Sequence, residues 1–536
     1  LGIDRVPAYQ DTQINSNQEV IMNELQSRRA FLADVSKGTL LATLGPALAA
    51  EFGISSAGAE ETSAALNFGD MEALVCFMQE TPVSKLQPAL AAKLKAGASL
   101  KQLVAAGVLA NARTFGGEDY IGFHTLMALS PSLKMSGAMP VQQQALPVFK
   151  VLYRNTNRMQ ENGGRSGEVL HPVAAGTDKP AAAQLHEMVR RKDTAGAERV
   201  FASMMQNSAD DGFNALLECV QDNPEVHRTV LPYRAWDLLD VVGHEHATTL
   251  LRMSLRYCLN SENYRRPEWD EHSKALTKLM DEHKLMGRDP GTKSMEDGVV
   301  EKLSMTIFSG TPEDAAGAVA EALAEGFDPH EIGEAISLAA NQLVLRDHGR
   351  PPEWEAPGKP TGSVHGDSVG VHASDSVHAW RNLSQVSKGR NVSACLILGA
   401  WQVARDRGAA TGQQFLEWEP VPHKRYISQS TDQSKLLGEL DGHIRQNLQA
   451  HAAGVVQRCG MRGMDPEAVF KTLLRYAVSE DGALHAEKYF QTTWEEFHRT
   501  RPAFRWRQLT ALARVTASEF GRPAPGQAEA CELLGV

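Results

Sequence analysis

The chain predicts an all-α fold made of two tandemly duplicated helical halves, and three observations carry that expectation. Aromatic residues are only 6% of the 536, Ala, Leu and Gly abound, and alternating β-branched runs are hard to find, a balance that favours helix over strand. A phrase of the form helix, glycine, helix is written twice: "LAAKLKAGASLKQLVAAGVLANA" at 90–112 and "VAEALAEGFDPHEIGEAISLAAN" at 319–341. The two share one register, Leu94 with Leu323, Gly97 with Gly326, Leu103 with Ile332, Ala106 with Ala335 and Leu109 with Leu338.

Each element of the phrase has a local cause. Gly97 and Gly326 stand where a helix end wants positive φ, and Ser99 and Asp328 stand where the next helix wants a capping oxygen. Apolar residues of the second helix recur at three and four, which predicts one buried stripe. The polar stretch "MGRDPGTKSMEDG" at 286–298 reads as the joint. The expected organisation is therefore residues 60–290 as the first half and 291–536 as the second. A loop with four prolines and four glycines, "HGRPPEWEAPGKPTGSVHGD" at 348–367, has no counterpart in the first half. A long irregular loop of this kind predicts a lid or wall beside a site.

Charge and cysteine content remove several function classes. A net charge of −11 offers no basic field for a nucleic acid backbone. The six cysteines lie far apart with no C-x-x-C or C-x-x-C-H spacing, so cysteine zinc sites, c-type haem and a disulfide scaffold are not expected. Beyond the N-terminal region no segment approaches the roughly 18 consecutive apolar residues of a membrane span. In "GHEHA" Thr248 holds the place of the second histidine of a zincin, no βα pattern supports the nucleophile elbow of a hydrolase, and no G-x-G-x-x-G opens a helix after a strand.

The histidines are the chemistry-bearing residues. "GFHTLMALSPSLK" from Gly122 and "SVHAWRNLSQVSK" from Ser376 pair His124 with His378, and "GHEHA" with "GALHA" pairs His246 with His485. Imidazole is the commonest metal ligand and needs no charge compensation when buried. Two halves folded face to face would bring His124, His246, His378 and His485 to one point, to hold iron first, or copper, manganese or zinc. Asp375, three residues before His378 and on its helical face, and Glu245, beside His246, are the expected catalytic acids, fixing ring tautomers or moving protons. His171, His423, His244 and His372 are secondary candidates; if His171 and His423 joined the set, a dinuclear site would follow. The function these residues predict is a metal-dependent oxidoreductase acting on a small organic substrate. Two alternatives stand beside it: haem b with two of the histidines as axial ligands, and a non-enzymatic helical-repeat scaffold with structural histidines.

Three resemblances add to this reading. Ser27-Arg28-Arg29-Ala30-Phe31-Leu32, followed by the weakly apolar "GTLLATLGPALAA" and small-residue sites at Ala47-Leu48-Ala49 and Ala57-Gly58-Ala59, resembles a twin-arginine (Tat) export signal. It implies that residues 1–59 are a signal region, with the Tat machinery as a partner and a periplasmic or extracytoplasmic location. The hairpin "EGFDPHEIGEAISLAANQ" resembles the repeat of carboxymuconolactone decarboxylase and AhpD-like proteins, and implies a helical hairpin only, because their C-x-x-C pair is absent. "YIGFHTLMAL" and "LHAEKYF" resemble phrases of the questin oxidase-like proteins, a mostly helical family, and imply oxidative chemistry on an organic substrate.

Overall fold

The caps expected from the sequence form. In the computed structural model, which describes residues 65–536 apart from 177–179, 268, 357–358, 367 and 412–413, α1 (Val83–Lys95) stops at Gly97, whose φ is +98°. Ser99 then restarts the chain. Its hydroxyl accepts from the Gln102 N–H while the Gln102 side chain accepts from the Ser99 N–H, satisfying two of the donors a helix start leaves open, and α2 (Leu100–Phe115) follows. The turn after α2 needs glycine: Gly117, at φ +84°, sits so close to Met253 that an added Cβ would lie 2.2 Å from its carbonyl oxygen. Asp119 caps α3 (Tyr120–Ala138) through the Gly122 N–H, and Glu225 caps α4 (Val226–Asp237) through the N–H groups of His227 and Arg228.

The second hairpin repeats these devices with other residues. Thr311 and Asp314 form the capping box of α5 (Pro312–Ala324), Gly326 turns at φ +84°, and Asp328 caps α6 (Pro329–Arg346) through the His330 N–H. Ser368 caps α7 (Val369–Val386). The last central helix, α8 (His485–Arg499), has no side-chain cap; it follows Ala483 and Leu484, both left-handed at φ +49° and +68°.

The architecture is all-helical, with no β-strand among the described residues. No described helix is long and apolar enough to cross a membrane. Four helices close a ring in which α3 and α7 each pack on both α4 and α8, with α2 outside α3 and α6 outside α7. One apolar cluster runs through both halves around that ring. The ring's interior is polar. From its first turn inward α8 turns toward it His485, Lys488, Thr492 and Glu495, α7 turns His372, Asp375 and His378, and α4 turns His227, Arg234 and Asp237. Steps of three, four and seven put each set on one helical face. The arginine pair and the rest of the expected signal lie outside the described residues.

Candidate functional site

At one end of the ring four histidines meet, each in the opening turns of a different helix: His124 on α3, His227 on α4, His372 on α7 and His485 on α8. They form two pairs. His124 Nε2 lies 3.3 Å from His227 Nε2, and His372 Nε2 lies 3.1 Å from His485 Nε2. The pairs also touch each other, with ring centroids 5.4 Å apart for His124 and His485 and 6.1 Å for His227 and His372.

The surroundings decide which nitrogen is available. His124 Nδ1 donates to the Tyr120 carbonyl at 2.7 Å, which leaves its Nε2 as a bare lone pair. His227 Nδ1 faces Glu225 Oε2 at 3.3 Å, so its Nε2 also points away from its anchor. Glu225 is held in turn by the Tyr257 hydroxyl at 2.7 Å. Burial alone would raise this carboxyl; the His227 contacts bring it down to about 2. Burial, then the charge of Lys488, pushes His124 down to about 2 and His485 well below its usual range. Two Nε2 atoms facing across 3.3 Å repel unless a proton or a metal ion lies among them. Ligands bound at about 2.0–2.1 Å in a tetrahedron stand about 3.3 Å apart, close to both observed separations. Among the described residues no three His, Cys, Asp or Glu side chains are already set as a metal cage; the rings stand as pairs that a shared ion would draw together.

Strain and close approach accompany the site. The two left-handed non-glycine residues before His485 cost roughly 1–2 kcal/mol each, and such strain persists where the surroundings fix it, often at functional sites. Gly366 comes so near His485 that an added Cβ would lie 2.2 Å from the histidine's own Cβ. A cavity of about 320 Å³ reaches the pair from outside, with His124 and His485 on its floor and Tyr120, Arg154 and Leu484 among its walls. The proline-rich loop supplies Lys359, His365 and Gly366 to that wall, as the sequence led one to expect. A larger cavity, about 520 Å³ and bounded by Arg346, Met461 and Trp506, has no histidine in its lining.

One layer deeper the ring is charged and mostly paired. His378 is 1% exposed and spends both nitrogens on carboxylates, Nε2 at 3.0 Å from Glu495 and Nδ1 at 2.8 Å from Glu496. Glu496 also binds Arg381, Glu495 binds Lys134 at 3.1 Å, and Lys134 reaches Asp237 at 3.1 Å. Burial would raise Glu496; Arg381 and His378 hold it down to about 2. The cations Lys134, Arg234, Arg381, Lys488 and Arg499 lie among the carboxylates Asp237, Asp375, Glu495 and Glu496.

Of the expected ligands, the structure brings together His124 and His485 and sets His246 and His378 elsewhere. His246 packs on the Phe68 ring, 5.5 Å between centroids, and its Nε2 is 3.9 Å from the exposed Glu245. Asp375 lies one turn below His372, accepting from the Thr492 hydroxyl at 2.8 Å. His244 stands 3.9 Å from Asp240, His171 gives its carbonyl to Arg252, and His423 lies by Tyr426. His372, a secondary candidate, takes the place expected of His378, and His227 was not foreseen. A signal for both existed: Gly370-Val371-His372 matches Gly122-Phe123-His124, and Asp119, Glu225 and Ser368 each precede one of these histidines by two to five residues. Compared with protein-family models, curated proteins and solved structures, the chain matches none of them.

Proposed function

We propose that the protein is a metal-dependent oxidoreductase whose centre is held by His124, His227, His372 and His485, with a small organic substrate admitted through the cavity above them. The observation that carries this reading is the meeting of four Nε2 atoms as two pairs at 3.1 and 3.3 Å, at least one of them a lone pair fixed by its partner's hydrogen bond. An all-imidazole set suits iron, copper or zinc; iron is our first choice, copper, manganese and zinc the others. When bound, such an ion supplies a redox or Lewis-acid centre. The chain's part is to fix ring orientation through Tyr120 and Glu225 and to wall the cavity with the 348–367 loop. The pairing of one histidine couple from each half supports the proposal that the halves arose by duplication.

Haem b fits less well, since axial nitrogens stand about 4 Å apart across the iron, twice the metal–nitrogen bond, and the second couple occupies the space a macrocycle would need. The arginine signal supports export by the Tat route, tested by whether a reporter carrying residues 1–59 leaves the cytoplasm only with Arg28 and Arg29 intact.

The metal test loads the purified full chain with Fe(II), Cu(II), Mn(II) or Zn(II), desalts it and measures metal per chain. About one equivalent is expected. Removing an outer-shell partner typically costs 10- to 100-fold in affinity, so His227→Ala and His372→Ala should each lose at least tenfold, while His246→Ala retains the metal. Wild-type protein that holds no metal, or His227→Ala that holds it as well, overturns the proposal.

A further inference from the structure

The cavity of about 520 Å³ that no histidine lines has a chemistry of its own. Four helices wall it: Asp297–Ser309, the last turn of α6, Gln449–Met461 and Trp506–Glu519. The segment Pro420-Val421-Pro422 closes one side, held to α6 by the Val421 N–H on the Leu345 carbonyl at 2.7 Å. Much of the lining is apolar or aromatic. Trp506 is fixed as a flat wall: Phe497 meets it edge-on, 5.7 Å between centroids, and Gly460 lies so close that an added Cβ would stand 2.6 Å from the indole. Phe504, Met305 and Met461 continue that surface, with Met461, 63% exposed, at the mouth. Aromatic faces and thioether sulfurs of this kind favour a flat ring as guest.

Three charged side chains stand among the described lining residues, Glu301, Arg346 and Arg507. Arg507 is spent: it pairs with Glu301 at 2.6 Å and lies over the Phe504 ring at 4.7 Å. Arg346 meets only neutral oxygens. Its Nε donates to Gln342 Oε1 at 2.9 Å and its Nη1 to the Trp418 carbonyl at 2.6 Å, which leaves Nη2 uncommitted among the described residues. Burial pulls this guanidinium below its usual value, and no neighbouring carboxylate opposes the shift. Gln342, 6% exposed, gives its oxygen to Arg346, so its own N–H groups stay unspent beside the same guanidinium. A half-buried guanidinium without a counter-charge is completed by an oxyanion, and the planar fork suits a carboxylate.

We infer that this cavity is a second ligand site, taking an aromatic monocarboxylate with its acid group on Arg346 and the Gln342 amide and its ring along Trp506. The site goes beyond the metal-centre reading and stands without it. One uncompensated guanidinium matches a single negative charge, which sets a carboxylate above a phosphate ester.

The full chain is titrated calorimetrically with cinnamate, cinnamyl alcohol, hexanoate and phenyl phosphate. One site per chain is expected for cinnamate, with each of the other three at least tenfold weaker. Arg346→Gln should weaken cinnamate at least tenfold and leave the alcohol unchanged, a split that a merely distorted cavity would not give. Met461→Glu, at the exposed mouth, should weaken cinnamate several-fold and Met461→Lys strengthen it, with thermal midpoints unchanged. His227→Ala should bind cinnamate as the wild type does. No binding of cinnamate, or equal binding by Arg346→Gln, would overturn the site. If Arg346→Gln does not fold, equal binding by the two Met461 variants overturns the acid assignment. Any of the other three compounds binding as tightly as cinnamate overturns the ligand class. Loss of binding in His227→Ala would put the acid in the histidine cavity and overturn this assignment. Cinnamate bound by a chain that holds no metal sinks the metal reading alone.

Discussion

The same four helices carry two histidine-bearing layers that solve burial in opposite ways. Around His378 every ring nitrogen meets a carboxylate, and Glu495, Glu496, Arg381 and Lys134 neutralise one another. One turn and more toward the helix starts, His124, His227, His372 and His485 face imidazole to imidazole, with one carboxylate, Glu225, set behind His227. In the deeper layer the ring nitrogens face carboxylates; in the upper one they face other rings, and His124 keeps a lone pair on Nε2. The histidine with both nitrogens on carboxylates is therefore the structural one here, and the histidines whose Nε2 atoms face other imidazoles are the candidates for chemistry.

The comparison breaks first at Glu496. Glu496→Ala strands Arg381 and one face of His378 inside the ring, and unpairing a buried ion pair costs about 3–5 kcal/mol. Denaturant unfolding should show a loss of that order, with metal per folded chain unchanged. A loss below about 1 kcal/mol would mean that the deeper layer is not what closes the ring.

Acid should sharpen the same contrast. The folded carboxyl of Glu496, at about 2, lies below its ordinary value of 4.5, so its contribution is fully present above pH 4.5 and is lost as pH falls from there toward 2. Stability followed by circular dichroism should hold from pH 7 to about 5 and then drop, and Glu496→Gln should flatten that drop. A Glu496→Gln curve parallel to wild type would remove Glu496 from the account.

The smallest effect is expected at the upper layer's strained approach. Ala483, exposed and left-handed at φ +49°, gains when replaced by glycine, by up to about 1 kcal/mol. If that strain aims His485, Ala483→Gly should raise the unfolding midpoint while weakening metal retention several-fold. Raised stability with unchanged retention would show the strain to be incidental.

Much of the fold was legible because its causes are local. The glycine stops at 97 and 326, the caps at Ser99 and Asp328 and the helical hairpins depend on residues three or four apart. The site was half legible. His124 and His485 stood out by their phrases, but pairing His124 with His378 favoured a longer match over the short Gly-x-His phrase at 370–372. His227 lay in "NPEVHRT" with no partner phrase at all. The helix at 485–499 carries Glu487, Lys488, Glu495 and Glu496, a composition that reads as solvent-facing, yet these four are buried.

The sequence by itself determined an all-helical chain and where its hairpins turn, and it singled out the histidines as the residues that carry chemistry. Only the tertiary structure decided which of them meet, because the pairs join residues 103 and 113 positions apart. Helix geometry fixes the face on which a side chain stands, whereas the packing of α3, α4, α7 and α8 into a ring fixes what that face meets.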